Sequence, residues 1–235
     1  MTNVDDVKER FGRTADRVAE HSAKQIENVR EEISALLVFK GDELVVDVGT
    51  GAGTLARAIA PLVREVVGVD AVPELLAAAR ASAPANVTFV EADATSMPLE
   101  SFSFDIAMTR RTLHHIARPE LVVAELARVT RLGGRIVVED QIAPVDPLAA
   151  LEVDRFERAR DRSHTRLLPD VDLRHLFEAN GLVLVTRRYR TERRSLDEYL
   201  ELAGCTGEEK DRAAALSPGG RDGYVAESAW YVLRR

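Results

Sequence analysis

Cysteine and long apolar segments are both scarce in this 235-residue chain. Cys205 is the only cysteine, so no intrachain disulfide can form, as is typical of proteins in a reducing compartment. No apolar run approaches the roughly 20 residues that a membrane-spanning helix needs. Residues Met1–Asp6 lack the apolar segment of a signal peptide. We therefore expect a cytoplasmic protein with no membrane span.

The chain also lacks the basic excess of a nucleic-acid-binding protein. Its 32 lysines and arginines are outnumbered by 39 acidic residues, for a net charge of −7, whereas proteins that bind nucleic-acid backbones carry clustered positive charge. We interpret the one basic cluster, at residues 187–194, as a solvated strand edge, with a contact to an anionic substrate or RNA as the alternative. We expect a small-molecule partner rather than a nucleic acid, and the sequence carries no signal for the oligomeric state.

Several common catalytic signals are missing as well. The chain has neither a G-x-S-x-G elbow nor a Walker A phosphate loop. His114 and His115 are adjacent, without the i, i+4 partner or the Cys/His cluster that a metal site needs. The sequence therefore predicts no metal centre.

Short apolar strands do alternate with helical segments between residues 41 and 140. This order predicts an α/β fold with a doubly wound, mostly parallel sheet, because short connections and right-handed crossovers place helices on both faces. Such sheets bind ligands beyond the carboxyl ends of their strands. The predicted strands are Leu44–Val48, Glu65–Val69, Val87–Glu91, Asp105–Thr109 and Arg135–Glu139, with Gly133-Gly134 breaking the chain before the last of them.

The length and the pattern predict a single domain over residues 1–235 with four parts. Residues 1–40 form N-terminal helices or a lid, 41–140 the ligand-binding core, 141–169 a helical substrate cover, and 170–235 the rest of the sheet. The elements predicted outside the core are helices Val4–His21, Ser22–Val38, Leu148–Arg162, Asp170–Ala179 and Leu196–Leu202, and strands Leu182–Tyr189 and Ser228–Arg234.

The first strand of the core ends in an acid, Asp47, and runs into glycines at positions 49, 51 and 53. Glycines in such a turn let the backbone approach a ligand without a clash from Cβ. A dinucleotide fold would have its third glycine at Thr54, and its pyrophosphate needs bare N–H groups at a helix N-terminus. The cationic sulfonium and ammonium of S-adenosylmethionine (SAM) suit a carboxylate instead. The loop therefore favours SAM over NAD.

Two further acids follow the next two strands. Asp70 lies 17 residues past Gly53, where a carboxylate can accept both ribose hydroxyls of an adenosine ligand. Asp93 can accept from the amine of adenine while Ala94 donates its backbone N–H. Since these acids follow successive strands, we expect them along one edge of the sheet.

The ordered series resembles class I SAM-dependent methyltransferases, and within them the small-molecule group of the ubiquinone/menaquinone-biosynthesis enzymes. The resemblance is carried by Val45–Gly53, Val67–Asp70, Glu91–Ala94, Pro98 with Phe102–Asp105, Arg111–Ile116 and Glu125–Arg135.

The resemblance implies a seven-stranded sheet with an antiparallel last strand, SAM as donor and S-adenosylhomocysteine as product. It places the methionine part on Asp47 and on Gly49, Thr50, Gly51 and Gly53, the ribose on Asp70 and Ala71, and adenine on Asp93 and Ala94. By resemblance alone, Phe11 and His21 would contact the cofactor from a lid; a helix that only coats the sheet is the alternative. We also expect Arg110 to bind the SAM carboxylate or another anion, with pairing to an acid as the alternative for its neighbour Arg111.

Methyl transfer to an acidic O–H or N–H group, or to an activated carbon, needs a base. His114 and His115 follow the fourth strand on the ligand side, and neutral imidazole accepts protons near pH 7. His164 lies in the predicted cover and is a third candidate. The alternative is that these histidines only pack or form hydrogen bonds.

The function predicted is SAM-dependent methyl transfer to O, N or C of a small organic acceptor. An NAD-dependent oxidoreductase and a non-catalytic SAM-binding module are the alternatives, and an RNA methyltransferase is disfavoured by the acidic charge.

Overall fold

The computed structural model describes residues 3–220 and 223–235. Short 3₁₀ turns lie at Ala60–Leu62 and Leu113–His115. The helices and strands, in chain order, are α1 (Val4–Arg13), α2 (Ala15–Ser34), β1 (Leu44–Val48), α3 (Thr54–Ile59), β2 (Glu65–Asp70), α4 (Pro73–Ala81), β3 (Val87–Glu91), β4 (Phe104–Arg110), α5 (Pro119–Val129), β5 (Thr130–Gln141), α6 (Pro147–Arg160), α7 (Asp170–Ala179), β6 (Val183–Arg194), α8 (Leu196–Ala203), α9 (Gly207–Ala215) and β7 (Tyr224–Arg234).

The strands of the described ranges form one seven-stranded sheet in the order β3-β2-β1-β4-β5-β7-β6. Strands β1 to β5 pair in parallel, and β7 runs antiparallel to both of its neighbours. The predicted mostly parallel sheet with an antiparallel last strand is confirmed. The direction of winding reverses between β1 and β4, and a parallel sheet opens a ligand crevice at such a point, beyond the carboxyl ends of its strands.

The sheet is covered on both faces by apolar side chains. On one face, α5 and α7 pack through residues such as Leu126 and Phe177; on the other, α2 and α3 pack through Ile33 and Ile59. Helices α6, α8 and α9 form a further cluster around Phe156 against the start of β7. None of the helices in the described ranges combines the length and the apolarity that crossing a membrane requires.

The N-terminal helices differ from the prediction. The predicted helix Val4–His21 is wrong because α1 ends at Arg13, and α2 then continues to Ser34 instead of Val38. Thr14 at the junction leaves the helical region, with φ −116° and ψ 12°. Its hydroxyl donates to the Arg10 carbonyl at 3.3 Å, a local bond that competes with helix continuation.

The predicted break at Gly133-Gly134 is also wrong. Both glycines lie inside β5, which begins at Thr130, and they form an irregularity opposite β4. Gly133 has a φ of 76°, and a Cβ on Gly134 would lie 2.7 Å from the Asp105 carbonyl. Glycine here accommodates a bulge and does not end the strand.

The C-terminal part holds longer strands than predicted, and the short helix α9 was missed. Only Ala213 of α9 is buried, so the helix has no apolar periodicity to detect. Strand β6 is an edge strand, as predicted for the basic cluster. Its arginines form ion pairs with neighbouring helices: Arg187 with Asp170 at 3.1 Å and Arg190 with Glu32 at 2.6 Å.

Candidate active site

The loop after β1 turns through three glycines, each with positive φ: 71° at Gly49, 55° at Gly51 and 82° at Gly53. Gly49 N–H donates to the Val69 carbonyl at 2.8 Å, which ties the loop to the end of β2. A Cβ on Gly49 would collide with the Thr112 side chain. Glycine is therefore required at position 49 for both conformation and space.

Asp47 lies beneath this loop and is 1% exposed. Its Oδ2 accepts from the Thr50 hydroxyl at 2.6 Å and from Ala56 N–H at 3.1 Å. Burial raises the pKa of Asp47 to about 6, although these two hydrogen bonds oppose the shift. The carboxylate thus sits at the N-terminus of α3, where a dinucleotide fold binds its pyrophosphate. A carboxylate there repels a phosphate and attracts a cation.

The two later acids lie beside the loop. Asp70 accepts from Gly51 N–H at 2.7 Å and from Val72 N–H at 2.9 Å, and burial raises its pKa. Asp93 accepts from both the backbone N–H and the hydroxyl of Thr95, at 2.8 and 2.7 Å. One cavity of about 180 Å³ brings together the predicted groups on this edge of the sheet: Asp47, Gly49, Thr50, Gly51, Asp70, Ala71, Asp93, Ala94 and Arg110. Gly53 does not line this cavity; it forms the N-cap of α3 just beneath the loop.

Helix α1 covers this cavity with apolar side chains, Val4, Val7 and Phe11. Asn3 attaches the start of the helix to the opposite wall, because its Nδ2 donates to the His115 carbonyl at 2.7 Å and its Oδ1 accepts from Ala117 N–H at 3.1 Å. The sequence resemblance indicated Phe11, but it did not indicate Asn3. No residue of the predicted cover, 141–169, lines the cavity.

Arg110 ends β4 and Arg111 follows it, at the boundary between this cavity and a second one of about 370 Å³. Both approach Glu139, at 3.5 and 3.6 Å, and Arg111 also bonds Glu192 at 3.3 Å. Among the described residues, no protein group accepts a hydrogen bond from the Arg110 guanidinium, so Arg110 can still donate to a ligand. His21 lines the second cavity and is absent from the lining of the first.

The three predicted histidines have different surroundings. His115 lines the cavity, and its Nδ1 lies 3.0 Å from the Ser163 hydroxyl. His114 pairs through Nδ1 with Asp140 and does not line the cavity. His164 pairs with Asp154 at 3.1 Å, also outside the cavity lining. The structure therefore supports a ligand-facing position at this cavity for His115 alone.

Residues 46–138 match the family model described as a methyltransferase domain. This range runs from β1 to β5 and contains the histidine pair and every predicted cofactor contact except Phe11 and His21. This part of the chain is similar to methyltransferase domains, in line with the resemblance seen in the sequence. The match stops before Ser163 and leaves out α1, so the cover of the cavity lies outside the matched domain.

Known relatives show the same similarity. The chain is 37% identical over 147 residues to an uncharacterized methyltransferase, YcgJ, of Bacillus subtilis, covering 61% of this chain and 58% of the relative. It is 32% identical over 128 residues to a demethylmenaquinone methyltransferase of Clavibacter sepedonicus, covering 54% and 52%. The chain thus spans about half the length of these curated relatives. The crystal structure of Bacillus subtilis YcgJ superposes with a TM-score of 0.79 at 26% identity, covering 88% of this chain and 98% of that one.

Several groups around this cavity have no direct signal in the sequence. Asn3 is remote in sequence from the His115 loop that it holds, and Arg10 is remote from its ion-pair partner Asp161, 2.8 Å away. The spacing of Asp161 and Ser163 suits an Asx turn, in which the carboxylate accepts from the N–H two residues on. That signal could have indicated an ordered turn, but not its contact with His115.

Proposed function

We propose that this protein transfers a methyl group from SAM to an O, N or C atom of a small organic acceptor and releases S-adenosylhomocysteine. The observation that supports this best is the shared cavity: three acids from the ends of three successive strands line it together with the glycine loop. A carboxylate-lined, partly apolar cavity suits an adenosyl ligand that carries positive charge and no phosphate.

The chain's own groups fit such a ligand. Asp93 and the Ala94 N–H would bind adenine, and Asp70 would accept from the ribose hydroxyls with lone pairs left over from its two backbone bonds. At the other end, Asp47 would attract the ammonium group, because its Oδ1 has no protein partner among the described residues. Arg110 would donate to the ligand carboxylate.

SAM supplies an electrophilic methyl group to this site when bound. The protein would orient the reactants and exclude water from them, since much of the rate of such a transfer comes from these two effects. The apolar side of α1 suits this role, and we propose α1 as the lid and residues 1–235 as one domain. Residues 141–169 would contact the histidines on the side away from the cavity and would not cover the cofactor.

The location of Asp47 also bears on the NAD alternative. Its carboxylate accepts from Ala56 N–H, and so occupies the helix N-terminus that a pyrophosphate would need. The proposal therefore predicts binding of SAM and weak or no binding of NADH.

Isothermal titration calorimetry with SAM, S-adenosylhomocysteine and NADH tests the proposal. We expect saturable binding of the first two, weakened at least tenfold by Asp70→Ala. The matched control is Asp172→Ala, since Asp172 is an acid on α7 outside the cavity lining. Absence of SAM binding at millimolar concentration would refute the function. Tight binding without turnover of any phenol, amine, carboxylic acid or activated-carbon acceptor would favour a non-catalytic SAM-binding module.

A further inference from the structure

His115 contacts a second pair of residues behind the cavity wall. Its Nδ1 lies 3.0 Å from Ser163 Oγ, and the same hydroxyl lies 2.6 Å from Asp161 Oδ1. Ser163 also donates its backbone N–H to that carboxylate oxygen at 3.0 Å. Ser163 is fully buried and Asp161 is 1% exposed, so water does not compete for these bonds. The three side chains form one connected line from the cavity to a buried acid.

The direction of the hydrogen bonds follows from the charge on Asp161. Burial alone would raise the pKa of this carboxyl, but Arg10, Arg160 and the hydrogen bond from Ser163 hold it below its usual value, and a charge on His115 would lower it further. Arg10 reaches it from α1 at 2.8 Å, and Arg160 lies at 3.9 Å. Asp161 is therefore ionised and can only accept.

The single hydroxyl proton of Ser163 must then go to Asp161. Ser163 Oγ is left as an acceptor towards His115, so Nδ1 of the imidazole carries the proton. In a neutral imidazole the other nitrogen, Nε2, then carries the lone pair. The hydrogen bonds thus select one of the two neutral tautomers of His115.

The surroundings of the ring keep it neutral. Burial lowers the pKa of His115 well below 6.5, and the neighbouring His114, Arg10 and His164 act in the same direction while Asp161 opposes them. Phe11 of α1 packs edge-on against the ring, with centroids 5.1 Å apart. Within the described residues, no protein group forms a hydrogen bond with Nε2.

We propose that His115 Nε2 is the proton acceptor of the methyl-transfer reaction, and that Ser163 and Asp161 are positioning residues that fix its tautomer. The inference rests on the proposed function and narrows it to acceptors whose nucleophilic atom carries a proton, such as hydroxyl or amine groups. The acceptor proton passes to Nε2, the lone pair left on the acceptor forms the new bond to the methyl carbon, and the electron pair of the broken C–S bond stays on sulfur. The resulting imidazolium is stabilised by Asp161 through Ser163.

His114 is the obvious competitor, since it has a carboxylate partner of its own in Asp140. It lines neither of the two cavities that meet at Arg110. His115 is therefore the imidazole that a ligand in the cofactor cavity would meet.

Nitrogen NMR of the full-length protein, labelled with ¹⁵N-histidine, tests this directly at neutral pH. The His115 signals are assigned from their loss in His115→Gln. We expect a protonated Nδ1 and a bare Nε2 in the wild type, and a loss of this single tautomer in Ser163→Ala. The matched control is Ser103→Ala, whose exposed hydroxyl bonds the Glu100 carbonyl and has no other partner among the described residues. A protonated Nε2 or a charged ring in the wild type overturns the proposal, whether or not the Ser163 variant folds.

Titration with S-adenosylhomocysteine provides the second measurement. If Nε2 faces the cofactor cavity, its resonance shifts on binding, and an unmoved Nε2 resonance in a saturated sample overturns the proposal. Calorimetry on the same samples separates this from the proposed function. Failure of the wild type to bind SAM or its product refutes the function, whereas binding with the wrong tautomer refutes only the role of His115.

Discussion

The substitution Asp47→Asn distinguishes the effect of Asp47 on the stability of the fold from its proposed role in ligand binding. Asp47 is buried beneath the glycine loop, and its Oδ2 accepts from Thr50 and Ala56. The side-chain oxygen of asparagine can accept the same two bonds, so the local structure should persist. What the substitution removes is a charge that burial disfavours.

The magnitude follows from the pKa of Asp47, which rises from 3.8 to about 6 on folding. Each pKa unit corresponds to about 1.4 kcal/mol, so the ionised carboxylate destabilises the ligand-free protein by about 3 kcal/mol at pH 8. Because the folded chain binds this proton more tightly than the unfolded chain, the destabilisation is complete above a pH of about 6 and fades as the pH falls towards 3.8. About half of it remains at about pH 5.

Urea unfolding of the ligand-free protein measures the effect, followed by the fluorescence of Trp230, the only tryptophan, which is 2% exposed. We expect the free energy of unfolding of Asp47→Asn to exceed that of the wild type by up to about 3 kcal/mol at pH 8 and by less at pH 5. The control, Asp93→Asn, makes the same change on a half-buried carboxylate and should change stability little. The reasoning fails if Asp47→Asn is no more stable than the wild type at pH 8, or if the gain grows as the pH falls.

Three other predictions concern the same cavity. Gly49→Ala should abolish SAM binding, because position 49 has a φ of 71° and the new Cβ would collide with the Thr112 side chain. The control is Gly41→Ala, where φ is 92° but the space around the new Cβ is open. This control should lower stability by only about 1–2 kcal/mol and leave SAM binding, measured by calorimetry, intact. The Kd of SAM should be constant above about pH 7 and about tenfold higher at about pH 5, because the cationic ligand binds the ionised form of Asp47. A Kd that calorimetry finds unchanged between these pH values would contradict this. Phe11→Ala should weaken SAM binding about fivefold by removing the aromatic cover, a loss of about 1 kcal/mol, while Phe11→Leu should retain most of the affinity; equal affinities would argue against α1 as a lid.

Local pattern was enough to predict the central part of the fold. Strand periodicity, the G-x-G-x-G loop and the acids at strand ends are all short-range features, and parallel β-α units have few allowed arrangements. The predicted edge that carries Asp47, Asp70 and Asp93 is therefore present in the structure. The same reasoning was wrong at Thr14 and at Gly133-Gly134, where a side-chain hydrogen bond and a bulge outweigh the local preferences.

Sequence alone determined the class of fold and the chemical character of the cavity, because a strand end, its acid and the following turn are neighbours along the chain. Only the tertiary structure decided which histidine lines that cavity. His114 and His115 are adjacent and chemically identical, and what distinguishes them is their long-range contacts, among them partners 26 and 48 residues away, Asp140 and Ser163. The cover was likewise decided by packing, since Arg10 of α1 pairs with Asp161 across most of the chain. Contacts of such long range leave no periodic trace in a single sequence, because they depend on how separately formed elements pack together.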